Sequence, residues 1–544
     1  MQRTRKSLIP IVLVLLCACI GWWLGADLRD TFSHRKTGKS APPADSQPHA
    51  AGPAHTRPPQ PARLTGTDQF DDGTTVEILA SANPGECILH FPSAEAYAAF
   101  AEVINDSNVT LVDQLDPLNA VRISYADPDD LGELLENENI TVRNALSSVP
   151  DRSVTDDGIE PDAVGFGGEL LTWLGIDEDN SQWGAGVRIA ILDTGVVPHS
   201  ALPPLADEIN LVDPPADPAD TNGHGTAVAS IIASNNPFAP GITPAAELIS
   251  IRISGDKGVT DSFALAAGIV AAVDAGADIV NLSLGSYENS SLIRDAAALA
   301  VENDTLIVAA AGNDGLGDAA YPAAYPGVVS VGAIDARGQH LNFSNYGSYL
   351  YITAPGLAVN AAWPAEKFVR FSGTSASAPV VTAILAATMS DGSGRTLSAP
   401  DALDLMTKLA DDAGIPGPDS EYGFGVVNIR RILNRNTPGI IDAAITDQRF
   451  VTTRLGTELQ VTIQNRGTRT LPNTLLEVDT PVGTRQVNLT SLETGAIHTF
   501  QIPVNTSSIP SGTPFQITST LTLHASAPDL IPEDNQRSDN FAAP

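Results

Sequence analysis

The chain has 544 residues and carries 64 acidic against 30 basic side chains, a formal net charge of −34. This charge argues against nucleic acid as a partner, because binding to phosphates requires a basic face. The length exceeds what one hydrophobic core organises and indicates three or four folded units joined by linkers. With three cysteines in the whole chain, no disulfide framework is expected.

The chain begins with a membrane-targeting element, assigned to residues 1–30. Residues 8–26 form an uncharged apolar run of 19 residues behind the basic start MQRTRK, which is about the length that a bilayer-spanning helix requires. The run lacks a clean A-x-A cleavage site, so an uncleaved single-pass anchor is favoured over a removable signal peptide. The rest of the chain is then expected outside the cytoplasm, in the periplasm or at the cell surface, or secreted if the helix is cleaved.

Residues 31–72 form a linker, and residues 73–150 form a small α+β unit. The linker is dense in Pro, Ala, Ser and Gln, a composition that buries too little apolar surface to fold. The unit that follows it predicts the order strand, helix, strand, strand, helix, strand, from ECILHF to ITVRNAL. That order is typical of the ferredoxin-like split β-α-β motif. An unrelated small α/β domain is the alternative.

Residues 151–436 and 437–544 predict two further fold classes. In the first segment, apolar strands such as VRIAILD, ELISIRI and TLIVAAAG alternate with Ala-rich helices. Near-continuous apolar strands of this kind belong to a parallel sheet covered on both faces, so we predict a doubly wound, mostly parallel α/β domain. In the second segment helical patterns disappear and short alternating stretches such as LQVTIQNRG follow one another, which predicts an all-β, Ig-like antiparallel sandwich.

Three polar residues follow apolar strands or begin helices of the predicted sheet. Asp193 ends the strand VRIAILD, at the carboxyl edge where open α/β sheets carry their chemistry. His224 stands between two glycines at the start of a helix, whose N-terminus disfavours imidazolium unless a carboxylate is paired with it. Asn313 follows the strand TLIVAAAG and can donate an amide hydrogen bond to an oxyanion. Taken singly, each is more commonly a turn or structural residue.

The stretch RFSGTSASAPVV, residues 370–381, contains four hydroxyl side chains in front of an apolar helix. Such a run is also what an ordinary helix N-cap looks like. A nucleophile would need a general base and a group that orients the base. Asp193, His224 and Ser375 supply these roles in the chain order Asp, His, Ser, which differs from the orders of trypsin-like proteins and of α/β hydrolases.

With these residues in this order, the chain resembles the subtilisin-like serine proteases (subtilases, peptidase family S8). Their three signatures appear here as ILDTGV, NGHGTAVA and GTSASAP. The resemblance implies that Asp193 orients the base, His224 is general base and acid, Ser375 is the nucleophile and Asn313 is an oxyanion donor. It also implies that Ser375 serves at once as helix cap and nucleophile, while Ser372, Thr374 and Ser377 cap or pack.

The resemblance further implies how substrate binds. Polypeptide substrates would lie as an added strand along the segments SLG, residues 283–285, and ISGDKG, residues 253–258, with AAAG, residues 309–312, as a wall of the specificity pocket. The substrate-binding residues expected from these segments are Ser283, Leu284, Gly285, Ala310, Ala311 and Gly312. The small side chains of AAAG would leave room for a sizeable apolar substrate side chain.

No cofactor is required for the chemistry of this family, and no metal ligand is assigned. Calcium is frequent in subtilases, so the resemblance allows a structural calcium ion. The chain has no EF-hand pattern, and the sequence does not indicate where such an ion would bind. The segment DPPADPADTNG is better explained as a solvated acidic loop than as a chelator.

The same resemblance suggests functions for the units on either side of residues 151–436. A ferredoxin-like unit before a subtilase domain is similar to the inhibitory prodomain of that family, which implies a self-inhibited precursor cut between residues 144 and 157. The C-terminal unit is similar to the CARDB class of bacterial Ig-like modules. The alternative to a serine endopeptidase is an inactive subtilase-fold adhesion or scaffold protein that binds through its C-terminal sandwich.

Overall fold

The computed structural model describes residues 66–69, 75–78, 82–91, 93–104, 107–127, 130, 141–150, 159–212, 222–255, 257–390, 394–453, 456–504, 509–524 and 528–542. All of these residues belong to one compact unit, Pro61–Pro544. The predicted membrane element, nearly all of the linker and most of the acidic segment 213–223 lie outside the described residues. Within the described residues, no helix combines the length and the apolar character that a membrane crossing demands.

The N-terminal part is an antiparallel sheet with one described α-helix and the short 3-10 helix Asp116–Leu118. Its elements are β1 Gly66–Gln69, β2 Thr75–Ile78, β3 Ala82–His90, α1 Ala94–Val103, β4 Thr110–Leu115, β5 Ala120–Ser124 and β6 Thr141–Pro150. Strands β1 and β2 pair with each other, and the main sheet has the order β6-β3-β5-β4. The side chain of Ser93 caps α1 by accepting a hydrogen bond from the backbone of Ala96. Most of the second helix predicted for this unit, residues 127–138, lies outside the described residues.

The middle part alternates strands and helices as its sequence predicts. Its elements are α2 Leu170–Leu174, β7 Arg188–Asp193, β8 Asp207–Asn210, α3 His224–Ala233, β9 Asn235–Asn236, β10 Ala239–Pro240, β11 Glu247–Arg252, β12 Val259–Asp261, α4 Ser262–Asp274, β13 Ile279–Leu282, α5 Ser291–Glu302, β14 Leu306–Ala310, β15 Val328–Ile334, β16 Ile352–Pro355, β17 Val359–Trp363, β18 Lys367–Phe371, α6 Thr374–Met389, α7 Ala399–Lys408 and α8 Ile429–Asn434.

Seven of these strands form one sheet in the order β16-β15-β14-β13-β7-β11-β8, and all their pairings are parallel. Alternate residues of β7 enter different cores: Ile189 and Ile191 pack with α3 and α6 on one face, while Ala190 and Leu192 pack with α4 and α5 on the other. Because both faces are covered, the strand has no polar side until its last residue. The predicted doubly wound parallel sheet is confirmed.

One short strand of the middle part extends the N-terminal sheet instead. Strand β12 pairs antiparallel with β6, so that Thr260 lies opposite Val149. The sheet therefore has the full order β12-β6-β3-β5-β4. This pairing joins the segments 73–150 and 151–436 through backbone contacts.

The C-terminal part consists of β19 Ala443–Thr453, β20 Gly456–Asn465, β21 Leu471–Thr480, β22 Gly483–Leu492, β23 Ile497–Pro503, β24 Pro514–Thr522 and β25 Gln536–Ala542. They form two antiparallel sheets of orders β19-β20-β23 and β22-β21-β24-β25. Inward side chains of both sheets share one core, with Leu459 and Val461 from the first sheet and Leu476 and Val478 from the second. A short 3-10 helix, Pro532–Asn535, precedes β25.

Candidate active site

The carboxylate of Asp193 and the imidazole of His224 form a buried pair. Asp193 is the last residue of β7 and His224 the first residue of α3, and the two residues are only 3% and 4% exposed. Both carboxylate oxygens of Asp193 lie 2.9 Å from Nδ1 of His224. A carboxylate facing Nδ1 favours the tautomer with its proton there, which makes Nε2 the basic nitrogen of the ring.

Glycines allow this close approach. A Cβ atom on Gly225 would lie 2.3 Å from the carbonyl oxygen of Gly195, and one on Gly223 would lie 2.2 Å from the Pro364 ring. Since real Cβ atoms do not come so close to other atoms, Gly225 lets α3 begin against the end of β7, and Gly223 lets Trp363 and Pro364 pack against the start of the helix. The sequence anticipates this role of the two glycines.

Ser375 lies in the first turn of α6 with its hydroxyl at the carboxyl edge of the sheet. It is 3% exposed, and its Oγ donates a hydrogen bond of 3.0 Å to the carbonyl oxygen of Ser283. Ser283 directly follows β13, the strand next to β7. Rotation about the Cα–Cβ bond of Ser375 moves Oγ among three staggered positions, so this hydrogen bond is exchangeable.

The expected capping role of Ser375 is wrong. The N-cap of α6 is Gly373, which has no side chain to offer, and its positive φ of 124° suits glycine. The other hydroxyls bond elsewhere: Ser372 accepts from the backbone of Ala358, and Ser377 donates to the carbonyl of Ala354. The N–H of Thr374, in the first helical turn, is instead satisfied by a side chain from the loop after β14.

That side chain is Asn313. Its Oδ1 accepts hydrogen bonds from the backbone N–H of Thr374 at 2.8 Å and from the Thr374 hydroxyl at 2.9 Å. The same hydroxyl accepts a hydrogen bond from the backbone N–H of Gly312. Two bonds to one oxygen fix the plane of the carboxamide and turn its NH₂ group away from Thr374. The Asn313 side chain thus caps the N-terminus of α6 in place of an N-cap side chain. The same two bonds set the direction of its NH₂ group.

A cleft next to Ser375 brings most of the expected substrate-binding residues together. It is lined by Ser283, Leu284, Gly285, Ser286, Tyr287, Ala310, Gly312, Asn313, Asp314, Ala320, Thr374 and Ser375. Ala311 is not among them. Ala311 directly follows β14 and is fully buried, and its carbonyl accepts hydrogen bonds from Asn345 and Tyr349, so a substrate-binding role for this residue stays a prediction.

Sequence reasoning missed four lining residues, Ser286, Tyr287, Asp314 and Ala320. The hydroxyl of Tyr287 donates to Asp314 at 2.6 Å, and Asn345 donates to the same hydroxyl at 2.9 Å. Asp314 directly follows Asn313, so its position could have been inferred. Tyr287 and Ala320 lie in loops, and no spacing in the sequence signals them.

Phe371 connects the histidine to the serine segment. Its ring packs edge-on against the His224 ring, with centroids 5.1 Å apart. Phe371 is the last residue of β18 and lies four positions before Ser375. Helices α3 and α6 also share the same core. The structure therefore places Asp193, His224, Asn313 and Ser375 at one edge of the sheet.

Known proteins match this region. A model of the subtilase family covers residues 184–425. A thermostable alkaline protease of Halalkalibacterium halodurans is 35% identical over 251 residues, which are 46% of this chain and 68% of that protein. Subtilisin Savinase of Lederbergia lenta is 34% identical over 249 residues, 45% of this chain and 90% of that protein. A variant of the protease domain of PatA is a solved structure with 32% identity and a TM-score of 0.43, covering 47% of this chain and 97% of that one.

The sequence identity to the two proteases, and the share of their length that the chain covers, assign the chain to a family. The chain belongs to the subtilases. It is a subtilisin-like serine endopeptidase, and all four expected catalytic residues lie within the matched segment.

Proposed function

We propose that the chain hydrolyses peptide bonds of proteins through an acyl-enzyme on Ser375. The observation that carries this proposal is the buried Asp193–His224 pair at 2.9 Å, at the sheet edge that also holds Ser375 and Asn313. A carboxylate that holds an imidazole by Nδ1 leaves Nε2 to accept the proton of a serine hydroxyl. A histidine with only a structural role would not require a carboxylate, a serine and an asparagine at the same edge of the sheet.

The residues divide the reaction between them. Nε2 of His224 takes the proton of Ser375 as Oγ attacks the carbonyl carbon of the substrate, and the Asp193 carboxylate stabilises the imidazolium that forms. His224 then gives the proton to the leaving amine as the C–N bond breaks. A water molecule, deprotonated by the same nitrogen, attacks the ester and releases Ser375 with its proton restored.

The oxyanion of each tetrahedral intermediate would be stabilised by two donors. One is the backbone N–H of Ser375, in the first helical turn where N–H groups lack intrahelical acceptors. The other is the NH₂ group of Asn313, whose orientation the two bonds to Thr374 fix. The N-terminus of α6 adds a partial positive charge at the same place. Donors fixed beforehand stabilise the transition state without reorganising.

The cleft sets the side chain preferred in the substrate. Ala310, Gly312, Gly285 and Ala320 contribute small walls, which leave room for a sizeable apolar side chain. The backbone of Ser283, Leu284 and Gly285 would pair with the extended substrate chain. The substrates are therefore polypeptides, without a cofactor in the reaction.

We also propose that residues 73–150 form a ferredoxin-like inhibitory prodomain. Its described strand order β6-β3-β5-β4 and the pairing of β6 with β12 support an intramolecular inhibitor that is cut between residues 144 and 157. N-terminal mass spectrometry should find processed protein for the parent chain and an intact prodomain for Ser375→Ala. Equal processing of both would contradict self-cleavage.

The same mass spectrum tests the N-terminus. We propose an extracytoplasmic enzyme, supported by the similarity to the minor extracellular protease Epr of Bacillus subtilis, 32% identical over 339 residues that are 60% of this chain and 52% of that protein. Residues 1–30 would act as its anchor. The C-terminal part would be an Ig-like, CARDB-type sandwich, consistent with two antiparallel sheets on one core.

Active-site labelling separates an active peptidase from an inactive scaffold. A fluorophosphonate probe forms a bond only with an activated serine, so the processed chain should be labelled and should hydrolyse casein. Ser375→Ala should show neither. A processed, folded parent chain that stays unlabelled and inactive would support a scaffold role in its place.

A further inference from the structure

A group of three carboxylates lies outside the active site, at the start of β19 and on the segment that leads into β25. Asp442 immediately precedes β19, Asp534 belongs to the 3-10 helix Pro532–Asn535, and Asp529 lies five residues before Asp534. One carboxylate oxygen from each of the three lies within 4.8 Å of those from the other two. Residues nearly ninety positions apart in the chain thus converge on one point.

The cluster contains buried oxygens without partners. Asp442 is only 2% exposed, and its Oδ1 has no hydrogen-bond partner among the described residues. Oδ1 of Asp534 and the amide oxygen of the next residue, Asn535, are also buried and likewise have no hydrogen-bond partner among the described residues. A buried acceptor without a donor is costly, so these oxygens require a ligand that supplies positive charge.

Backbone hydrogen bonds hold the two chain segments together at this point. Oδ2 of Asp529 accepts from the backbone N–H of Ala443 at 3.0 Å, and its Oδ1 accepts from that of Ile531 at 2.8 Å. Leu530 donates its N–H to the carbonyl of Ile441 at 2.8 Å. The carboxylates are therefore positioned by the fold, and a ligand would meet them already assembled.

The charges around the cluster do not balance. Arg466 contacts Asp534 at 2.9 Å and Asp411 at 3.2 Å, and Arg431 contacts Asp411 at 3.2 Å. Together with Asp442 and Asp529, these side chains place four carboxylates against two guanidinium groups. When all are ionised, a charge of two negative units is left over.

We propose that Asp442, Asp529 and Asp534 bind a calcium ion. All the donors are oxygens, which suit hard cations, and calcium accepts six to eight oxygens in irregular arrangements that carbonyls and water complete. Magnesium demands stricter octahedral geometry, and zinc prefers nitrogen and sulfur ligands. The doubly charged ion matches the excess charge of the cluster. Its affinity should lie in the range of extracellular modules, a Kd of about 10⁻⁴ to 10⁻³ M.

The ion would fasten the last segment of the chain to the first strand of the C-terminal sheets. Asp529 and Asp534 lie on the segment that leads into β25, and Asp442 lies at the start of β19. Through Arg466 and Asp411 the same cluster reaches the middle part of the chain. Calcium would therefore stabilise the C-terminal sheets and their junction with the catalytic part, and leave the chemistry of Ser375 untouched.

The test counts calcium ions on the full chain carrying Ser375→Ala, which prevents self-digestion. Protein stripped with a chelator is dialysed against CaCl₂, and bound calcium is measured per chain. Adding Asp442→Asn should remove one bound ion relative to Glu533→Gln, an exposed acid of the same 3-10 helix that serves as the charge-matched control. Calcium should also raise the midpoint of thermal unfolding more in the control than in Asp442→Asn. Equal binding by the two folded variants would overturn the proposal.

A second measurement needs no substitution in the cluster and thus does not depend on the variant folding. Carbodiimide labelling of carboxylates, read by mass spectrometry, compares the chain with and without calcium. Calcium should reduce labelling of Asp529 and Asp534 severalfold and leave Glu533 unchanged. Labelling that is the same in both states, up to 10 mM CaCl₂, would exclude a site in the expected range of affinity, about 10⁻⁴ to 10⁻³ M.

Discussion

The carboxamide oxygen of Asn313 accepts hydrogen bonds from both the backbone N–H and the hydroxyl of Thr374, at 2.8 and 2.9 Å. These two bonds join the loop after β14 to the start of α6. A side chain that caps the helix in this way cannot rotate without losing both bonds. The donor side of Asn313 and the position of Ser375 are therefore set by one contact.

Removing the hydroxyl of Thr374 should slow catalysis without unfolding the protein. Thr374→Val deletes one of the two bonds that orient Asn313, and one hydrogen bond corresponds to about a 3- to 10-fold change in kcat. Asn313→Ala removes the donor itself and should cost about 10²- to 10³-fold. Steady-state kinetics on a peptide substrate should show both losses in kcat, with KM little changed.

Thr388→Val is the matched control for this pair. Thr388 lies near the other end of α6 and donates to Ile384 in its own helix. The control should keep the kcat of the parent chain. A Thr374→Val enzyme as fast as the control would show that Asn313 does not depend on this contact.

Asp193→Asn should inactivate the enzyme while preserving its structure. An amide NH₂ facing Nδ1 of His224 favours the tautomer with its proton on Nε2, which cannot accept the Ser375 proton. We expect kcat to fall about 10⁴-fold near neutral pH, the size found for this residue in related triads. Peptide hydrolysis and the rate of fluorophosphonate labelling measure the loss. Asp207→Asn, at an exposed position of the edge strand β8, should behave like the parent, and retained labelling of Asp193→Asn would contradict the assignment.

Ala320→Val should narrow the cleft and change the preferred substrate. Ala320 is 3% exposed and lines the cleft beside Ser375, so two added methyl groups occupy space meant for the substrate. For a substrate with Leu or Phe at the cleaved position, kcat/KM should fall by more than about 10-fold, on the scale of 1–3 kcal/mol per misfit methylene. An Ala substrate should be turned over nearly as before. Ala324→Val, outside the cleft, is the control, and an equal loss on all substrates would refute a specificity role.

His340 should make the fold less stable in mild acid. Burial lowers the pKa of His340 to about 4, although the charge of Asp419 acts in the opposite direction. The unfolded chain therefore binds a proton at this residue below about pH 6.5, and the folded chain does so only near pH 4. Stability is fully present above pH 6.5 and falls by up to about 3 kcal/mol as the pH drops through this window.

Thermal unfolding between pH 7 and 4.5 checks this expectation in the Ser375→Ala background. His340→Gln should show a smaller drop in its midpoint than the parent chain. His498→Gln, an exposed position on β23, should show the same drop as the parent. Parallel pH curves for all three would mean that folding does not lower the pKa of His340.

Local patterns in the sequence were enough for the parallel sheet and for the candidate catalytic residues. Between Arg188 and Asp193 the strand VRIAILD is apolar because each face of β7 enters a different core, and this continuity is visible without coordinates. Asp193, His224 and Asn313 were found because each directly follows a strand or begins a helix. The three signatures then tied them to Ser375.

An error arose where the outcome depends on a contact with a distant residue. Ser375 was expected to cap its helix, but the cap comes from Asn313, which is 62 positions away. The sequence also did not indicate that the carbonyl of Ala311 accepts hydrogen bonds from Asn345 and Tyr349. Neither the partner of a carbonyl nor that of a free N–H follows from spacing along the chain.

The sequence by itself determined the layered α/β architecture, the set of candidate catalytic residues and the acidic character of the chain, because composition, periodicity and strand-end positions are local properties. Tertiary structure alone decided which residues face the cleft, how Asn313 is oriented, and that the carboxylates of Asp442, Asp529 and Asp534 come together. Those facts depend on how segments far apart in the chain pack together, and a one-dimensional pattern contains no distance between them.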